Sequence, residues 1–244
     1  MLVKEKIFHF LIKVKELFFQ KEPEVRLGSL VNGVTDCRFE SFYSDEMDIV
    51  DELDIKYIYH MSHIDNLNSI LQNGLISYNQ ALDLKHIDIS NRDVNIRRTV
   101  IEPIFNKQIH SYVPFYFNPR NAMLYARREI QNNLVVLAID RILIYHETSL
   151  FTDGNAAAKN TKFFNDLHEL KTLNWKCINA KYWTDCLDGK RIKMAEVLIV
   201  DIVEPKYIKK IYCNNYVLKQ YVESLLQDNS IQDIQVEINM EMFF

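Results

Sequence analysis

The 244-residue sequence is poor in glycine and proline, with only five of each. Its glycines form neither a GxGxxG turn nor a phosphate-binding loop, so a Rossmann or P-loop nucleotide site is unsupported. The four cysteines have no CxxC spacing, which argues against a zinc ribbon and is typical of a reducing compartment. Seven histidines provide no HExxH motif, and no third ligand accompanies His60 and His63. We therefore expect a cytoplasmic protein without a metal centre.

A long uninterrupted apolar run is also lacking. Residues 1–19 are apolar at first sight, but lysines and glutamates interrupt them well short of the roughly 18 residues that a membrane span needs. Ile7, Leu11, Val14 and Phe18 recur at helical spacing and predict an amphipathic helix. Its polar face carries both charge signs, which favours docking on protein over binding to a membrane surface.

The charge is unevenly distributed along the chain. Residues 1–54 hold seven basic and twelve acidic side chains, whereas residues 55–244 hold 22 and 21. An acidic run ends at Asp54, and apolar alternation begins directly after it, so we predict an N-terminal extension (1–54) and a main folded body (55–244). Within the body, residues 92–128 contain seven basic and two acidic residues. That segment is either a phosphate-binding surface or an ordinary solvated face.

Strand and helix patterns mix in the body without regular alternation, which predicts an α+β fold. Gly74 is placed to cap a helix in HIDNLNSILQNG. The predicted strands are KYIYH, VPFYF, LVVLAID, AEVLIVDIV, YIKKIYC and IQVEINM, and the predicted helices are HIDNLNSILQNG, NAMLYARREIQ, KFFNDLHEL and YVLKQYVESLLQ.

A few residue groups stand out as candidates for chemistry. Tyr59 and His60 end the first strand, Arg97 and Arg98 lie in a helical segment, and Glu196 opens a late buried strand. Because an unpaired buried charge is costly, a strand end that faces a cleft explains Glu196 better than a core position does. Taken one at a time, these groups are equally compatible with structural roles.

Together these segments resemble the DarT family of DNA ADP-ribosyltransferase toxins. The resemblance runs in the same order over about residues 55–220. It rests on YHMSHIDNLNSILQNGLIS, the IRR of residues 96–98, HSYVPFYFNPRNAMLYA, FTDGN followed by KFFNDLHELKTLNW, and AKYWTDC leading to KMAEVLIV.

The resemblance implies a split ADP-ribosyltransferase fold, with two facing β-sheets and NAD bound in the cleft between them. It implies Glu196 as the catalytic carboxylate and Arg98 as a residue that contacts the dinucleotide and assists catalysis. The implied NAD-binding residues are His60, Met61, Ser62, Ser69, Ser77 and Arg98. Met61 departs from the polar or branched residue expected after the histidine, so we expect a backbone contact there.

The resemblance also implies that the acceptor is a base of single-stranded DNA, with thymine favoured. Residues 155–195 would form the substrate-recognition loop. The implied DNA contacts are Arg120, Asn121, Met123, Tyr182, Trp183, Thr184 and Asp185. A DarT toxin is further expected to be paired with a DarG-like macrodomain antitoxin that removes the modification.

Two other functions are compatible with parts of the sequence. An ADP-ribosyltransferase acting on guanine, RNA or protein would share the NAD residues and differ in the recognition loop. A non-catalytic nucleic-acid-binding module would retain the cleft, but the presence of His60, Arg98 and Glu196 together argues against it.

Overall fold

The computed structural model describes residues 49–82 and 84–244. The predicted amphipathic helix of residues 1–19 lies outside these ranges. Residues 49–52 form a helical turn in which Ile49 and Val50 are buried. Asp51 pairs with Arg141 at 2.5 Å, so residues 49–54 pack against the body. The division between residues 54 and 55 stays a prediction.

The described residues form ten strands and seven α-helices, joined by short 3₁₀ turns. The strands are β1 (Tyr57–His63), β2 (Leu75–Ile76), β3 (Tyr112–Tyr116), β4 (Leu134–Asp140), β5 (Leu150–Thr152), β6 (Phe163–Phe164), β7 (Glu196–Val200), β8 (Ile202–Val203), β9 (Ile208–Cys213) and β10 (Gln235–Ile238). The helices are α1 (Ile64–Asn73), α2 (Tyr78–Ala81), α3 (Arg92–Arg97), α4 (Ala122–Ala126), α5 (Trp175–Ile178), α6 (Gly189–Ile192) and α7 (Tyr216–Asp228).

One eight-stranded sheet, in the order β10-β9-β4-β1-β3-β7-β5-β6, forms the centre of the body. All neighbours are antiparallel except β10 and β9. Strand β4 lies inside the sheet, and the residues from Leu134 to Ile139 are all buried, as its unbroken apolar run predicts. The mixture of sheet and helices is the α+β architecture expected from the sequence.

The sheet divides between β1 and β3. These two strands share a single register pair, Tyr59 with Tyr116, whereas β1 and β4 share seven. Two half-sheets, β10-β9-β4-β1 and β3-β7-β5-β6, therefore diverge from this point. His60 borders the division on one side and lies in the middle of β1, because this strand continues to His63 and does not end at His60 as predicted. Glu196, which opens β7 and is the register partner of Tyr116, borders it on the other side.

Helix α1 follows the predicted pattern closely. Leu67, Ile70 and Leu71 face the core, and Gly74 caps the helix by donating its N–H to the carbonyl of Ile70. Gly74 has φ of 87°, and a Cβ there would collide with the carbonyl oxygen of Val203. Both the backbone conformation and the close approach of β8 thus require glycine at this position.

Three predicted elements differ from the structure. KFFNDLHEL was predicted as a helix, but Phe163–Phe164 pair with β5 and the helical part is a 3₁₀ turn, Leu167–Thr172. The predicted strand AEVLIVDIV is broken at Asp201, whose φ of 61° separates β7 from β8. The predicted helix NAMLYARREIQ becomes α4 followed by the 3₁₀ turn Arg128–Asn133. In each case the residue pattern alone did not reveal a local change of backbone conformation.

Candidate active site

A cleft of about 700 Å³ opens beside the division of the sheet. Its walls come from the end of β1, from β3, from α3 and from the loop after β5. They include His60, Met61, Ser62, Arg98, His110, Tyr116, Met123, Asn155 and Arg191. This brings together residues that are more than 100 positions apart in the sequence, and it includes four of the predicted NAD-binding residues.

Glu196 and Arg98 form a buried ion pair at the cleft. Nη1 of Arg98 donates to both carboxylate oxygens of Glu196, at 3.2 Å to Oε1 and 2.9 Å to Oε2. Glu196 is fully buried, and Arg98, which is 9% exposed, is the member of the pair that lines the cleft. Arg98 is the C-cap of α3, and Glu196 opens β7. The carboxylate therefore lies behind a guanidinium that faces the site.

The loop after β5 fixes the position of Glu196. The N–H of Ala156 donates to Oε1 of Glu196 at 2.9 Å. The hydroxyl of Thr152 accepts from the backbone N–H of Glu196 at 2.9 Å and donates to the carbonyl of Gly154 at 2.7 Å. Thus one carboxylate oxygen is held by a backbone donor of the loop, and both are held by Arg98.

His60 lies on the β1 side of the division and is hydrogen-bonded across it to β3. Its Nδ1 lies 2.9 Å from the carbonyl oxygen of Pro114 on β3, and because a carbonyl only accepts, Nδ1 is the donor. Burial lowers the pKa of His60, and the Pro114 hydrogen bond only partly opposes that effect. A neutral imidazole with Nδ1 protonated leaves Nε2 as an acceptor.

The floor of the cleft between His60 and the Arg98–Glu196 pair is formed by Tyr116, Met61 and Ser62. Tyr116 pairs in register with Glu196, and burial together with that carboxylate raises the pKa of the Tyr116 phenol. Met61 and Ser62 are each 5% exposed and line the cleft. Asn66 donates to the Ser62 hydroxyl at 3.3 Å. The cleft floor therefore combines apolar and hydroxyl groups.

The two remaining predicted NAD contacts lie farther from the cleft surface. Ser69 is exposed on α1, and its carbonyl accepts from the side chain of Asn73. Ser77 is fully buried as the N-cap residue of α2, between Ile76 and Tyr78, which both line the cleft. The hydroxyl of Ser77 has no hydrogen-bond partner within the described residues.

The predicted DNA contacts that precede and open α4 take three different positions. Met123 lines the cleft. Asn121 is fully buried, where its side chain caps α4 by accepting from Met123 and Leu124 and donates to Asn118. Arg120 lines a second cavity of about 500 Å³, and its guanidinium stacks on Phe244 at 4.1 Å and donates to the carbonyl of Glu241.

The predicted contacts Tyr182, Thr184 and Asp185 are exposed, and they surround the partly buried Trp183. Trp183 packs edge-on against Tyr125, with ring centroids 5.1 Å apart, and beside Phe244 at 6.1 Å. Tyr182 is 50% exposed. Within the predicted recognition loop, the residues that reach the cleft wall are Asn155, Ala158, Asp188, Lys190, Arg191 and Met194.

Two functional-site features carried no clear sequence signal. Arg191 joins two parts of the loop, because it donates to Asp153 at 2.7 Å and to Asp188 at 2.5 Å. His110 is 6% exposed, lines the cleft and stacks on Tyr78 with ring centroids 4.2 Å apart. Neither residue belongs to a motif with fixed spacing, so only the folded arrangement shows its place.

Among residues 49–82 and 84–244, the structure contains no cluster of three or more histidine, cysteine, aspartate or glutamate side chains that could hold a metal ion. Over the same residues, no helix is both long and apolar enough to cross a membrane.

Comparison with known proteins identifies the family. The profile described as "ssDNA thymidine ADP-ribosyltransferase, DarT" matches residues 59–244. The chain belongs to the DarT family. The predicted family and the predicted enzyme class, DNA ADP-ribosyltransferase, are confirmed.

Individual relatives agree with this assignment. A DNA ADP-ribosyl transferase of Thermus aquaticus is 32% identical over 180 residues, which is 69% of this chain and 80% of the relative. A DNA ADP-ribosyl transferase–DNA ADP-ribosyl glycohydrolase fusion protein of Thermosipho africanus is 28% identical over 191 residues, 71% of this chain and 46% of the fusion.

Solved structures of DarT from Thermus sp. 2.9 superimpose on most of the body. The complex with ADP-ribosylated ssDNA has a TM-score of 0.71 and 29% identity, covering 78% of this chain and 97% of the other. The complex with NAD+ has a TM-score of 0.68 and 29% identity, covering 78% and 98%. The predicted fold class, an α+β split ADP-ribosyltransferase fold, is confirmed.

Proposed function

We propose that this DarT-family enzyme transfers ADP-ribose from NAD to a thymine base in single-stranded DNA, with Glu196 as its catalytic carboxylate. The observation that carries the proposal is the ion pair of Glu196 with Arg98 at the cleft where the sheet divides. Thermus sp. 2.9 DarT, which shares this fold, has been solved with NAD+ and with ADP-ribosylated ssDNA.

The cleft suits NAD as a substrate. Its volume of about 700 Å³ lies within the range of ordinary ligand pockets. Nη2 of Arg98 and the Ser77 hydroxyl are buried polar groups without a hydrogen-bond partner in the described part of the chain. Such groups are costly unless a ligand or water satisfies them. We assign His60, Met61, Ser62, Ser77 and Arg98 to the NAD side, with exposed Ser69 at its periphery.

Glu196 supplies the electrostatic part of the mechanism. Breaking the bond between nicotinamide and ribose C1′ places positive charge on the ribose. A fixed carboxylate stabilises that charge more in the transition state than in the ground state. Arg98 and the Ala156 N–H hold the carboxylate in a defined orientation, so little reorganisation is needed as charge develops.

The second half of the reaction requires a proton acceptor. A base nitrogen attacks ribose C1′ as nicotinamide leaves, and that nitrogen loses its proton. Glu196 is the better candidate for accepting it, because a guanidinium is already protonated. Since Arg98 covers the carboxylate in this structure, the transfer requires Arg98 to move aside. Arg98 then serves to orient both the carboxylate and the dinucleotide.

The DNA side is built from the recognition loop and α4. A base edge is accessible only in a single strand or after flipping, and an aromatic ring can stack on the released base. We assign stacking to Tyr182 and Trp183, further contacts to Met123, Thr184 and Asp185, and phosphate attraction to Arg120. Asn121 acts through the shape of α4, since its side chain is buried in capping that helix.

A bacterial toxin with this activity requires a means of reversal. The Thermosipho africanus relative joins a DNA ADP-ribosyl transferase to a DNA ADP-ribosyl glycohydrolase in one chain. We propose that this chain acts as a toxin and that its partner is a DarG-like macrodomain antitoxin with glycohydrolase activity. Expression of the active chain should arrest bacterial growth, and co-expression of such a glycohydrolase should restore it.

The activity is tested by incubating the protein and its Glu196→Gln variant with NAD and matched oligonucleotides. Single-stranded DNA containing thymine should gain the mass of one ADP-ribose, whereas a thymine-free strand, duplex DNA and RNA of the same length should not. Absence of the increment on thymine-containing single strands would refute the proposed substrate. Equal modification by Glu196→Gln would refute the catalytic assignment.

A further inference from the structure

His110 is a cleft residue for which the mechanism above has no use. It lies in the 3₁₀ turn Ile109–Ser111 just before β3, and its side chain is 94% buried, with 6% exposed. Tyr78, at the start of α2, stacks on its ring with centroids 4.2 Å apart and planes inclined by 26°. The ring is therefore held in one orientation on the cleft wall.

One atom of this ring is unsatisfied. Nε2 of His110 is buried and has no hydrogen-bond partner among the residues that the structure describes. Two other buried polar atoms share this condition at or beside the cleft, the Ser77 hydroxyl and Nη2 of Arg98. Since buried polar groups are normally paired, a set of three points to a bound group that pairs with them.

The charge around His110 restricts what that group can be. Burial lowers the pKa of His110, and the nearby Arg98 guanidinium lowers it further, so the imidazole is neutral near pH 7. Arg98 Nη2 can only donate a hydrogen bond, a serine hydroxyl can donate or accept one, and Nε2 of a neutral imidazole donates in one tautomer and accepts in the other. A phosphate only accepts, whereas a sugar hydroxyl both donates and accepts and therefore pairs with Nε2 in either tautomer. The set therefore fits a vicinal diol.

We propose that His110 is a substrate-binding residue that hydrogen-bonds a hydroxyl of the nicotinamide-side ribose of NAD. The proposal rests on the proposed function, which places this ribose next to the Arg98–Glu196 pair. Arg98 Nη2 donates to the diol, and His110 Nε2 pairs with it. The stack with Tyr78 fixes the orientation of the imidazole, so little side-chain freedom remains to be lost when the ligand binds.

The test measures binding, so it does not depend on catalysis. Isothermal titration gives the Kd of carba-NAD+, and then of NAD analogues that lack either the 2′ or the 3′ hydroxyl of the nicotinamide ribose. His110→Phe keeps the stack and removes the hydrogen bond, and it should raise the Kd of the intact ligand about tenfold. His110→Gln, which keeps a polar atom, should recover part of that loss.

The analogues locate the contact. Removing the paired hydroxyl should weaken binding to the unaltered protein, but should weaken it little further in His110→Phe, because the interaction is already gone. His168→Phe, at an exposed position, is the matched control and should bind like the unaltered protein. Thermal melting of each variant checks that it is folded; if His110→Phe does not fold, His110→Gln with the same analogues makes the comparison.

The outcomes distinguish a failure of the proposed function from a failure of the role assigned to His110. If the unaltered protein does not bind carba-NAD+, the proposed function itself fails. If the unaltered protein binds carba-NAD+ and a folded His110 variant binds it equally well, the inference about His110 is wrong. The inference is also wrong if removing either hydroxyl weakens binding to the His110 variant as much as it weakens binding to the unaltered protein.

Discussion

Two buried carboxylates, Glu102 in the turn between α3 and β3 and Glu196 at the start of β7, have nearly the same exposure, 1% and 0%. Glu102 accepts from the backbone N–H groups of Ile104, Phe105 and Lys107, and from the hydroxyl of Tyr112, at 2.7 to 2.9 Å. These donors belong to its own turn and the strand that follows. They lower the pKa of Glu102 despite its burial.

Glu196 has a different set of partners. It accepts from Arg98 and from the Ala156 N–H, and Arg98, which lines the cleft, has a second guanidinium nitrogen, Nη2, that is buried and has no hydrogen-bond partner within the described residues. The difference shows that burial of a carboxylate does not by itself indicate function. Glu102 is saturated by local structure, whereas Glu196 belongs to a network that ends at an open site.

The strongest test of this comparison exchanges each carboxylate for its amide. Glu196→Gln should lower kcat for DNA modification by about 10³-fold, because the charge that stabilises the developing ribose cation is lost. Substrate Kd values should change far less. Rates under single-turnover conditions, with the Kd of carba-NAD+ measured in parallel, separate the two effects.

The matched variant is Glu102→Gln. It should lower the unfolding free energy by about 3 kcal/mol, since a charged acceptor of four hydrogen bonds is replaced by a group that also carries donors. Urea unfolding measures this loss, and the rate per folded molecule should stay within a few-fold of the unaltered enzyme. A reversed result, with Glu102→Gln inactive but stable, would remove the distinction between the two residues.

A smaller effect is expected where the recognition loop is tightly packed. A Cβ at Gly189 would collide with the carbonyl oxygen of Trp183, so Gly189→Ala must displace the turn that carries Tyr182 and Trp183. We expect the KM for DNA to rise about tenfold, equivalent to about 1.4 kcal/mol, with the Kd of carba-NAD+ unchanged. Val217→Ala, at a 76% exposed position on α7 outside the loop, is the control. An unchanged KM for DNA would separate this turn from base recognition.

Much of the fold was predictable because periodic burial dictates it. Strand β4 is apolar from Leu134 to Ile139 because it is covered on both faces, and α1 shows its inward residues at helical spacing. The breaks were harder to predict. Asp201 adopts a left-handed conformation within an apolar run, and the short pairing of Phe163 and Phe164 with β5 depends on a partner distant in sequence.

The candidate site was predictable in part for a related reason. Glu196 stood out because a charge at the mouth of a buried strand is unusual, and family resemblance supplied His60 and Arg98. His110 had no such signal, since its importance comes from Tyr78, Arg98 and an unpaired nitrogen that only the fold brings together. Asn121 illustrates the converse, because a residue within a specific motif proved to be a buried helix cap.

The smallest expected effect is a difference in the pH dependence of stability between the cleft histidines and Glu102. Burial lowers the pKa of His60 and of His110, so between the unfolded value near 6.5 and the lower folded values the unfolded chain binds more protons. Stability contributed by the cleft histidines is therefore present above pH 6.5 and is lost as the pH falls below it. Glu102 also has a lowered pKa, so its contribution is lost only below about pH 4.5.

Urea unfolding between pH 8 and pH 2 should thus show two separate declines. The upper one should amount to about 1 kcal/mol per histidine for each pH unit crossed. His60→Gln should reduce the decline below pH 6.5 and leave the lower one, whereas Glu102→Gln should remove the lower one alone. If His60→Gln left the upper decline intact, the protons would be taken up elsewhere, and the neutral imidazole assigned to His60 at the edge of the cleft would have to be abandoned.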